Sequence, residues 1–365
     1  MRFVLLPLAA ACGSREPIRI GIVLDGDGIH GATLAAADIN ASGGIDGRAL
    51  ELRLAGGQTD NLARNALAPA ESLAADLSIL AVVGHTNSAA SLSAARIYNA
   101  NRVVQIAPTS TAPMYSHAGP YSFRMVASDR HQADFLGRAA ISPSPRRIAI
   151  LYVNDDYGRG LRNEVVRYLK THGVVPVYEA PYSEGTRFTG IEGVASAIVA
   201  SRPQVLLWLG RAPELILLLP EVRARSSGIA VLASDGFGRP PAGDLAIAVQ
   251  GVRYVRLLDP GNSREAVQRL RSEYEKRWQR ELTDQYLLAY QAVQVLAEAI
   301  RTSGPDREAI RTYLSGLGST RAPFDGMLGP ISFDANGDAP GQYFLLEVPP
   351  ADSNLVANGV ASASP

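Results

Sequence analysis

Three glycines near the N-terminus, Gly26, Gly28 and Gly31, have the G-x-G-x-x-G spacing that can carry dinucleotide chemistry. They follow an apolar, strand-like run at residues 18–24 and precede a helix-like run at residues 32–39. In a dinucleotide site such glycines allow a tight turn, close approach of the pyrophosphate and contact between helix and strand. The motif therefore raises the hypothesis of an enzyme that uses NAD or FAD.

Two features of the same stretch oppose this hypothesis. A dinucleotide site needs an acidic residue about 20 positions further on to hold the ribose hydroxyls, and the second predicted strand, residues 50–54, ends without one. Asp25 and Asp27 flank the glycines and place two negative charges where the pyrophosphate would lie. A dinucleotide-dependent enzyme is therefore the least favoured interpretation.

Hydroxyl side chains follow two other predicted strands, residues 79–84 and 103–106. These hydroxyl residues are Ser88, Thr109, Ser110 and Thr111. Hydroxyls and free backbone N–H groups can hold a carboxylate without a full positive charge, and open α/β sheets bind ligands at such strand ends. Two structural alternatives stay open, a helix N-cap for the serine and a solvated turn for residues 109–111.

Acidic and phenolic side chains follow two predicted strands of the second half of the chain, residues 147–153 and 229–233. They are Asp155, Asp156, Tyr157 and Asp235. A lone aspartate after a strand is usually a turn or cap residue. If the two halves of the chain face each other, however, one half suits a carboxylate and the other an ammonium group.

Motifs and charge argue against several other classes of function. The sequence contains no G-x-S-x-G, H-E-x-x-H or G-x-x-x-x-G-K-[ST] motif, and its 5 histidines lack metal-ligand spacing. Lys+Arg and Asp+Glu both total 35, so no basic stripe or acidic tail attracts nucleic acid or a membrane surface. We therefore expect no catalysis, no metal, no cofactor and no nucleic-acid partner.

The single cysteine, Cys12, follows Arg2 and an apolar run at residues 3–11. This order is typical of a secretory signal, and the alanines before the cysteine resemble a bacterial lipoprotein processing site, where the cysteine becomes the lipidated first residue. A plain signal peptide and a start codon placed too far downstream are the alternatives. No later run approaches the roughly 20 apolar residues that span a bilayer, so we expect membrane contact only through the lipid anchor.

Short apolar runs alternate with helical patterns along the chain. The predicted strands are residues 18–24, 50–54, 79–84, 103–106, 147–153, 174–179, 205–209 and 229–233. They lack an alternation of apolar and polar residues, which indicates parallel strands covered by helices on both faces. Eight strands suit two sheets of about four or five strands, so we predict an α/β fold with two doubly wound parallel-sheet lobes.

Seven segments resemble type I periplasmic substrate-binding proteins, specifically the leucine/isoleucine/valine-binding group that serves ABC importers. They are IRIGIVL, GATLAAADINASGGIDGRALELRL, AVVGHTNSAASLSAARIY, IAPTSTAP, SFRMVASDRHQA, IAILYVNDDYGRG and DQYLLAYQAV, in this order between residues 17 and 348. The most specific are D-I-N-x-x-G-G-I-x-G-x-x-L, which starts at Asp38, and Y-G-R-G, which starts at Tyr157.

The resemblance implies two lobes joined by a three-strand hinge and closed on a small ligand by hinge motion. Lobe 1 would comprise residues 17–125 and 256–331, and lobe 2 residues 126–255 and 332–348. A signal peptide would occupy residues 1–12 and a disordered tail residues 349–365. The protein would be a periplasmic or cell-surface monomer that hands an amino-acid-like ligand to the permease of an ABC transporter.

The resemblance also implies the residues of the site. Those expected to hold the amino-acid portion of the ligand are Ser88, Thr109, Ser110, Thr111, Tyr157, Asp235 and Gly236. The hydroxyls would hold the α-carboxylate, while Asp235, Tyr157 and a carbonyl near Thr109 or Ser110 would hold the α-ammonium group. Those expected near the ligand side chain are Asp25, Thr86, Asn87, Arg211, Phe237 and Tyr286.

Three departures from the family concern specificity. The loop after the first strand is short, the disulfide of some members is missing, and Arg211 and Ala212 stand where an aromatic residue often occurs. Arg211 either pairs with an acidic or polar ligand side chain or is a solvated surface residue. Because a fold does not settle function, a sensor or regulatory lipoprotein of the same fold, such as a cell-wall synthase activator, is the main alternative.

Overall fold

The computed structural model describes residues 16–56, 63–142, 147–185 and 190–350. The predicted signal peptide, Cys12 and residues 351–365 of the predicted tail lie outside the described residues.

Strands and helices alternate through most of the chain. The strands are β1 Ile18–Val23, β2 Leu50–Leu54, β3 Ile79–Gly84, β4 Val104–Ala107, β5 Ser122–Arg124, β6 Ile148–Val153, β7 Tyr178–Tyr182, β8 Val205–Leu209, β9 Ala230–Ala233, β10 Arg253–Arg256, β11 Phe324–Gly326, β12 Gly329–Ile331 and β13 Phe344–Glu347. The helices are α1 Gly26–Ala41, α2 Leu67–Ala75, α3 Ser88–Ala100, α4 Asp129–Ile141, α5 Asp156–Thr171, α6 Ile191–Ala200, α7 Ala212–Arg225, α8 Asp244–Val249, α9 Glu265–Trp278, α10 Asp284–Ser303 and α11 Arg307–Gly316.

Two sheets form the two lobes. The first has the order β2-β1-β3-β4-β5 and is parallel throughout, and the second has the order β13-β10-β9-β8-β6-β7. In the second sheet β13 alone runs antiparallel, against β10. Central strands are apolar along their whole length because helices cover both faces, as Val82 and Trp208 illustrate with no exposed surface. The predicted doubly wound α/β fold is confirmed.

Each lobe has its own hydrophobic core. In lobe 1 the sheet packs against α1, α9 and α10, with Ile22 and Leu296 among the buried residues. In lobe 2 the strands pack against α4, α5 and α7, with Leu151 and Leu218 among the buried residues. Helix α10 therefore belongs to lobe 1, although it follows the lobe 2 strands in the sequence.

The chain crosses between the lobes three times. The first crossing follows β5 and the second follows β10, close to the predicted boundaries. The third crossing differs from the expectation of a boundary at residue 332, since Phe333 and Ala339 pack in the core of lobe 1. Asp338 explains the difference, because it forms a parallel bridge to Arg124 and so extends the first sheet.

The glycine motif lies inside a helix. Helix α1 begins at Gly26, directly after the N-cap Asp25, and not at residue 32 as expected. A Cβ atom on Gly31 would lie 2.1 Å from the carbonyl oxygen of Tyr286, so this glycine permits close packing of α1 against α10. The spacing thus serves helix contact, and the loop that a pyrophosphate would require is absent at this place.

The edge strand β7 also differs from the expectation of a strand at residues 174–179. It spans Tyr178–Tyr182 and pairs with β6 from Ala149↔Tyr178 to Val153↔Tyr182. The valines before it suggested a strand by composition, yet Val175 is 70% exposed. Pairing with β6, and not side-chain hydrophobicity, therefore determines where this edge strand begins.

A buried ion pair stabilises the third crossing. An Nη2–Oδ2 distance of 2.6 Å joins Arg124 to Asp338, and the Arg124 side chain has no exposed surface. Arg124→Ala leaves the Asp338 carboxylate without its cation, so we expect a loss of about 3–5 kcal/mol in the free energy of unfolding, measured by urea denaturation.

Arg264→Ala is the matched control, because Arg264 pairs with the 82% exposed Asp325 at the surface. We expect this change to cost less than about 1 kcal/mol. Equal losses in the two variants would contradict a special role for the buried pair.

Candidate functional site

The candidate site is the cleft between the lobes, where the carboxyl ends of strands from both sheets meet. The lobes touch across this cleft: the amide of Asp129 donates to the carbonyl of Thr111 over 2.8 Å. Gly160 at the start of α5 lies against Pro113 of lobe 1, so closely that an added Cβ would stand 2.9 Å from the proline ring. The structure therefore shows the two lobes closed on each other.

The lobe 1 side of the cleft carries the predicted hydroxyl groups, beginning with Ser88. Its Oγ accepts a hydrogen bond from the amide of Ala112 over 3.2 Å. Ser88 is the first residue of α3, and the N-cap is Asn87, whose side chain accepts from the amide of Ala90. The N-cap alternative for Ser88 is thus wrong, and within the described residues the hydroxyl of this buried serine has no hydrogen-bond acceptor.

The turn after β4 is held by internal hydrogen bonds. Ser110 Oγ lies 2.8 Å from Ser91 Oγ, and Thr109 Oγ1 donates to the carbonyl of Thr86 over 2.9 Å. The side chain of Thr111 contacts the carboxyl of Asp129. Within the described residues, no acceptor receives the backbone N–H groups of Ser110 and Thr111, so these groups are available to an anionic ligand.

The carbonyl expected to meet an ammonium group already has a partner. Ser110 O accepts from Nη1 of Arg124 over 3.3 Å, and Ala112 O accepts from the same nitrogen over 2.9 Å. The guanidinium therefore holds the turn from beneath, and an ammonium group would compete with it for this carbonyl.

The lobe 2 side of the cleft brings together the predicted acidic and phenolic groups. Asp235 begins a short 3-10 turn after β9. Its Oδ1 accepts from Tyr157 Oη over 2.6 Å and from Gln132 Nε2 over 2.8 Å. The amide of Gly236 donates to the same tyrosine oxygen over 3.0 Å. Tyr157, Asp235 and Gly236 thus form one connected cluster.

Two residues of this cluster were not among the predicted site residues. Asp129 is completely buried in the first turn of α4, and its Oδ1 accepts from Gln132 Nε2 over 2.6 Å. Its Oδ2 is buried and has no hydrogen-bond partner in the part of the chain that the structure describes. The signal was present in the sequence: D-x-x-Q, directly after the first crossing, places both side chains on one helix face.

Asp129 and Asp235 form an acidic pair, and neither makes an ion pair within the described residues, although the charges of Arg124 and Arg211 partly oppose the rise in the pKa of Asp129 and of Asp235, respectively. Burial, and then the charge of Asp235, raise the pKa of Asp129 well above its usual range. Burial also raises the pKa of Asp235, although hydrogen bonds from Tyr157 and Gln132 oppose this effect. A cationic group placed beside the pair would compensate its charge, since opposite charges at short distance favour ionised carboxyls.

Arg211 is paired within its own lobe. Its Nε donates to Glu184 Oε1 over 2.8 Å and its Nη2 to Asp155 Oδ2 over 3.1 Å. The guanidinium carbon also lies 5.6 Å from the centroid of the Tyr157 ring. Arg211 is therefore neither a solvated surface residue nor an uncompensated cation that would attract an acidic side chain.

Two predicted pocket residues lie in the hydrophobic cores instead. Phe237 packs in lobe 2 with its ring centroid 5.2 Å from that of Tyr254, and Tyr286 packs in lobe 1 with its centroid 5.0 Å from that of Tyr274. Phe237 lies in the short turn after β9 and Tyr286 in the first turn of α10, and core packing leaves both rings little surface toward the cleft.

The β1–α1 junction is polar as well. The amide of Asp25 donates to Thr86 Oγ1 over 3.1 Å, and Asp25 Oδ1 accepts from Nε2 of Gln285 over 2.6 Å. Two residues further on, Asp27 Oδ2 lies 3.5 Å from Nη1 of Arg239, which belongs to lobe 2. This ion pair crosses the cleft and brings the junction against lobe 2.

The described ranges contain neither a metal-binding cluster nor a membrane-spanning helix. No group of three or more His, Cys, Asp or Glu residues there could hold a metal ion. None of the helices in these ranges combines the length and apolar character needed to cross a membrane.

The acidic pair should lower the stability of the ligand-free protein at neutral pH. Asp129→Asn removes one ionisable group from a buried place, so we expect the ligand-free variant to be more stable than the wild type at pH 7, by more than about 1 kcal/mol. Because the pKa of Asp129 is raised in the fold, wild-type stability falls as pH rises above the ordinary aspartate range. The gain should therefore vanish in acid, as measured by urea denaturation at several pH values.

Asp134→Asn is the control on the same helix. Asp134 is 47% exposed and lies 3.6 Å from Arg167, so its replacement should change stability by less than about 0.5 kcal/mol. A destabilised Asp129→Asn variant at pH 7 would show that the buried carboxylate is compensated in the ligand-free protein.

Comparisons with known proteins agree with this geometry. A family model described as "Periplasmic binding protein" matches residues 24–354. Leu/Ile/Val-binding protein homolog 1 of Brucella abortus is 27% identical over 322 residues, which cover 84% of this chain and 81% of the relative.

Two solved structures share the fold. An ABC transporter substrate-binding protein from Desulfitobacterium hafniense, solved in complex with Leu, has a TM-score of 0.75 and 25% identity and covers 91% of this chain and 98% of its own. A leucine binding protein from Thermotoga maritima has a TM-score of 0.80 and 23% identity and covers 93% and 98%. The resemblance found in the sequence is confirmed, and the chain belongs to the periplasmic binding protein family.

Proposed function

We propose that this protein is an extracytoplasmic substrate-binding protein that captures a free α-amino acid by closure of its lobes and delivers it to an ABC importer. One observation carries the proposal: two neighbouring carboxyls of lobe 2, the buried Asp129 and the half-buried Asp235, form no ion pair within the described residues and lie across the cleft from the hydroxyl and amide donors of lobe 1. We call the carboxyl pair the acidic pole and the donors the hydroxyl pole. The acidic pole suits the ammonium group of a zwitterion, and the hydroxyl pole suits its carboxylate.

The acidic pole would hold the α-ammonium group. Asp235 and the free Oδ2 of Asp129 would accept its hydrogen bonds, and Tyr157 would orient Asp235 through the bond they already share. Hydrogen bonds to charged groups contribute about 1.5–3 kcal/mol each, so two such bonds suffice for strong discrimination in a cleft that excludes water.

The hydroxyl pole would hold the α-carboxylate. Ser88 would donate its free hydroxyl hydrogen, and Ser110 and Thr111 would donate their backbone N–H groups. These donors are fixed by the internal bonds of the turn, so little conformational entropy is lost when the ligand binds. Their neutral character leaves the acidic pole as the main electrostatic attraction.

Family membership supports the transport role and a place outside the cytoplasm. The closed form would present a surface formed by both lobes to the permease, and a lipid at Cys12 would keep the protein at the membrane. Members of the family bind ligands without transforming them, and we infer the same here. The Desulfitobacterium relative that was solved with Leu is an amino-acid complex of this fold.

Isothermal titration calorimetry with the common L-amino acids tests this function. We expect at least one amino acid to bind, and its des-amino analogue to bind at least about 100-fold more weakly, because that analogue cannot bond to the acidic pole. Asp235→Asn should weaken binding of the amino acid by about 10-fold or more.

Binding should also release protons and strengthen as pH rises, because the ammonium group forces carboxyls with raised pKa values to ionise. Asp244→Asn, an exposed residue at the start of α8, is the control and should leave the affinity unchanged. If no amino acid binds the wild-type protein, the proposed function is wrong.

A further inference from the structure

A second cluster of charged residues lies near the acidic and hydroxyl poles. Its residues take no part in the proposed binding of the α-ammonium and α-carboxylate groups. On lobe 2 it consists of Arg211 with its two carboxylate partners, Asp155 and Glu184. On lobe 1 it consists of Asp25 and the amide of Gln285. Asp25 and Asp155 are the N-caps that follow β1 and β6, and Glu184 lies just after β7. The groups of the two poles likewise follow the carboxyl ends of strands.

Sheet order shows where this cluster lies relative to the hinge. The crossings leave from β5 at one edge of the first sheet and from β10 and β13 at one edge of the second. The poles follow β3 and β4 in the first sheet and β9 and β6 in the second, whereas the second cluster follows β1 on one side and β8, β6 and β7 on the other. A ligand whose head group lies at the poles would therefore extend away from the hinge into this cluster.

An ion pair brings the β1–α1 junction, which carries Asp25, against lobe 2. Asp27, two residues after Asp25, reaches Arg239 of lobe 2 at 3.5 Å. Arg239 in turn follows the Asp235 turn within four residues and also donates to the carbonyl of Glu281 over 3.1 Å. The β1–α1 junction thus faces the lobe that holds Arg211, and the ligand side chain would lie between them.

The charges of the cluster do not balance. Asp25, Asp155 and Glu184 contribute three carboxylates, and Arg211 contributes one guanidinium group. Gln285 is neutral and supplies only an amide. Within these four charged residues two negative charges are left over. Asp27 with its partners Arg239 and Arg280 adds one positive charge beside Asp25, so one negative charge remains for a ligand to compensate, in addition to the acidic pair at the pole.

The lining also disfavours the other classes of side chain. A branched aliphatic group would remove water from carboxylates without replacing their hydrogen bonds, which costs free energy. An acidic group would add a like charge to the cluster. Phe237 and Tyr286, the two aromatic residues expected near the ligand side chain, pack in the cores.

We infer that the ligand is a basic α-amino acid, whose side chain ends in an amine or a guanidine that binds between Asp25 and the Asp155–Glu184 pair. This inference rests on the proposed function, because the head group must first be held at the poles. The raised pKa of Asp155 supports it: burial is the main cause, the charge of Glu184 adds to it, and Arg211 only partly opposes it.

Two matched pairs of ligands test the inference by calorimetry. Arginine and citrulline have nearly the same shape and differ in charge, as do lysine and norleucine in the charge of their terminal group. We expect the cationic member of at least one pair to bind about 10-fold more tightly or better, and this preference to shrink as salt is added.

Two variants test which residues cause the preference for the cationic ligand. Glu184→Gln and, separately, Asp25→Asn should reduce the preference for the cationic ligand while a neutral amino acid still binds. Glu179→Gln is the control, because Glu179 lies on β7, shortly before Glu184, but pairs with Arg162. The use of two variants on different lobes keeps the test valid if one of them does not fold.

The outcomes separate this inference from the proposed function. If neither arginine nor lysine binds more tightly than its neutral partner, or if leucine binds more tightly than both, the inference is overturned and the proposed function stands. If the Glu179 variant loses the preference as fully as the Glu184 variant, the location of the subsite is wrong. Absence of binding by every amino acid overturns the proposed function, and the inference falls with it.

Discussion

The constraint on which this site depends is the placement of two neighbouring carboxyls, the buried Asp129 and the half-buried Asp235, with no ion-pair partner in the part of the chain that the structure describes. A folded chain normally avoids such an arrangement, because removal of a carboxylate from water costs free energy unless it is paired. Here the pair lies where the two lobes meet, and hydrogen bonds from Gln132 and Tyr157 satisfy part of it. The fold thus gives up some stability at the place where a ligand can restore it.

The hinge and the site are physically connected. Arg124, buried beside the third crossing, pairs with Asp338 and also donates to the carbonyls of Ser110 and Ala112. The cation that fixes the crossing therefore also fixes the turn that carries the hydroxyl pole. Asp129 lies directly after the first crossing, and its amide bonds to Thr111, so both poles are built on the hinge. Their separation should vary less during closure than that of groups farther away.

Much of this arrangement could be predicted from the sequence. Apolar runs marked most strands because buried parallel strands are apolar on both faces, and the strand ends then placed Tyr157 and Asp235 in the cleft. Asp129 was missed because it lies on helix α4, whereas the prediction considered residues that follow the ends of strands. The packing of Phe237 and Tyr286 in the cores could not be predicted, because sequence position does not give the direction in which a ring points.

The same geometry explains how specificity can diverge while the fold and the head-group site persist. The groups that would bind the amino-acid portion lie beside the hinge and are tied into its hydrogen bonds. The groups that would meet a side chain, Asp25 and Arg211 among them, lie one or more strands farther out and bond mainly to each other and to nearby polar residues. Substitutions there change the charge of the outer cleft without disturbing the crossings. Relatives with one shared architecture can therefore select different side chains.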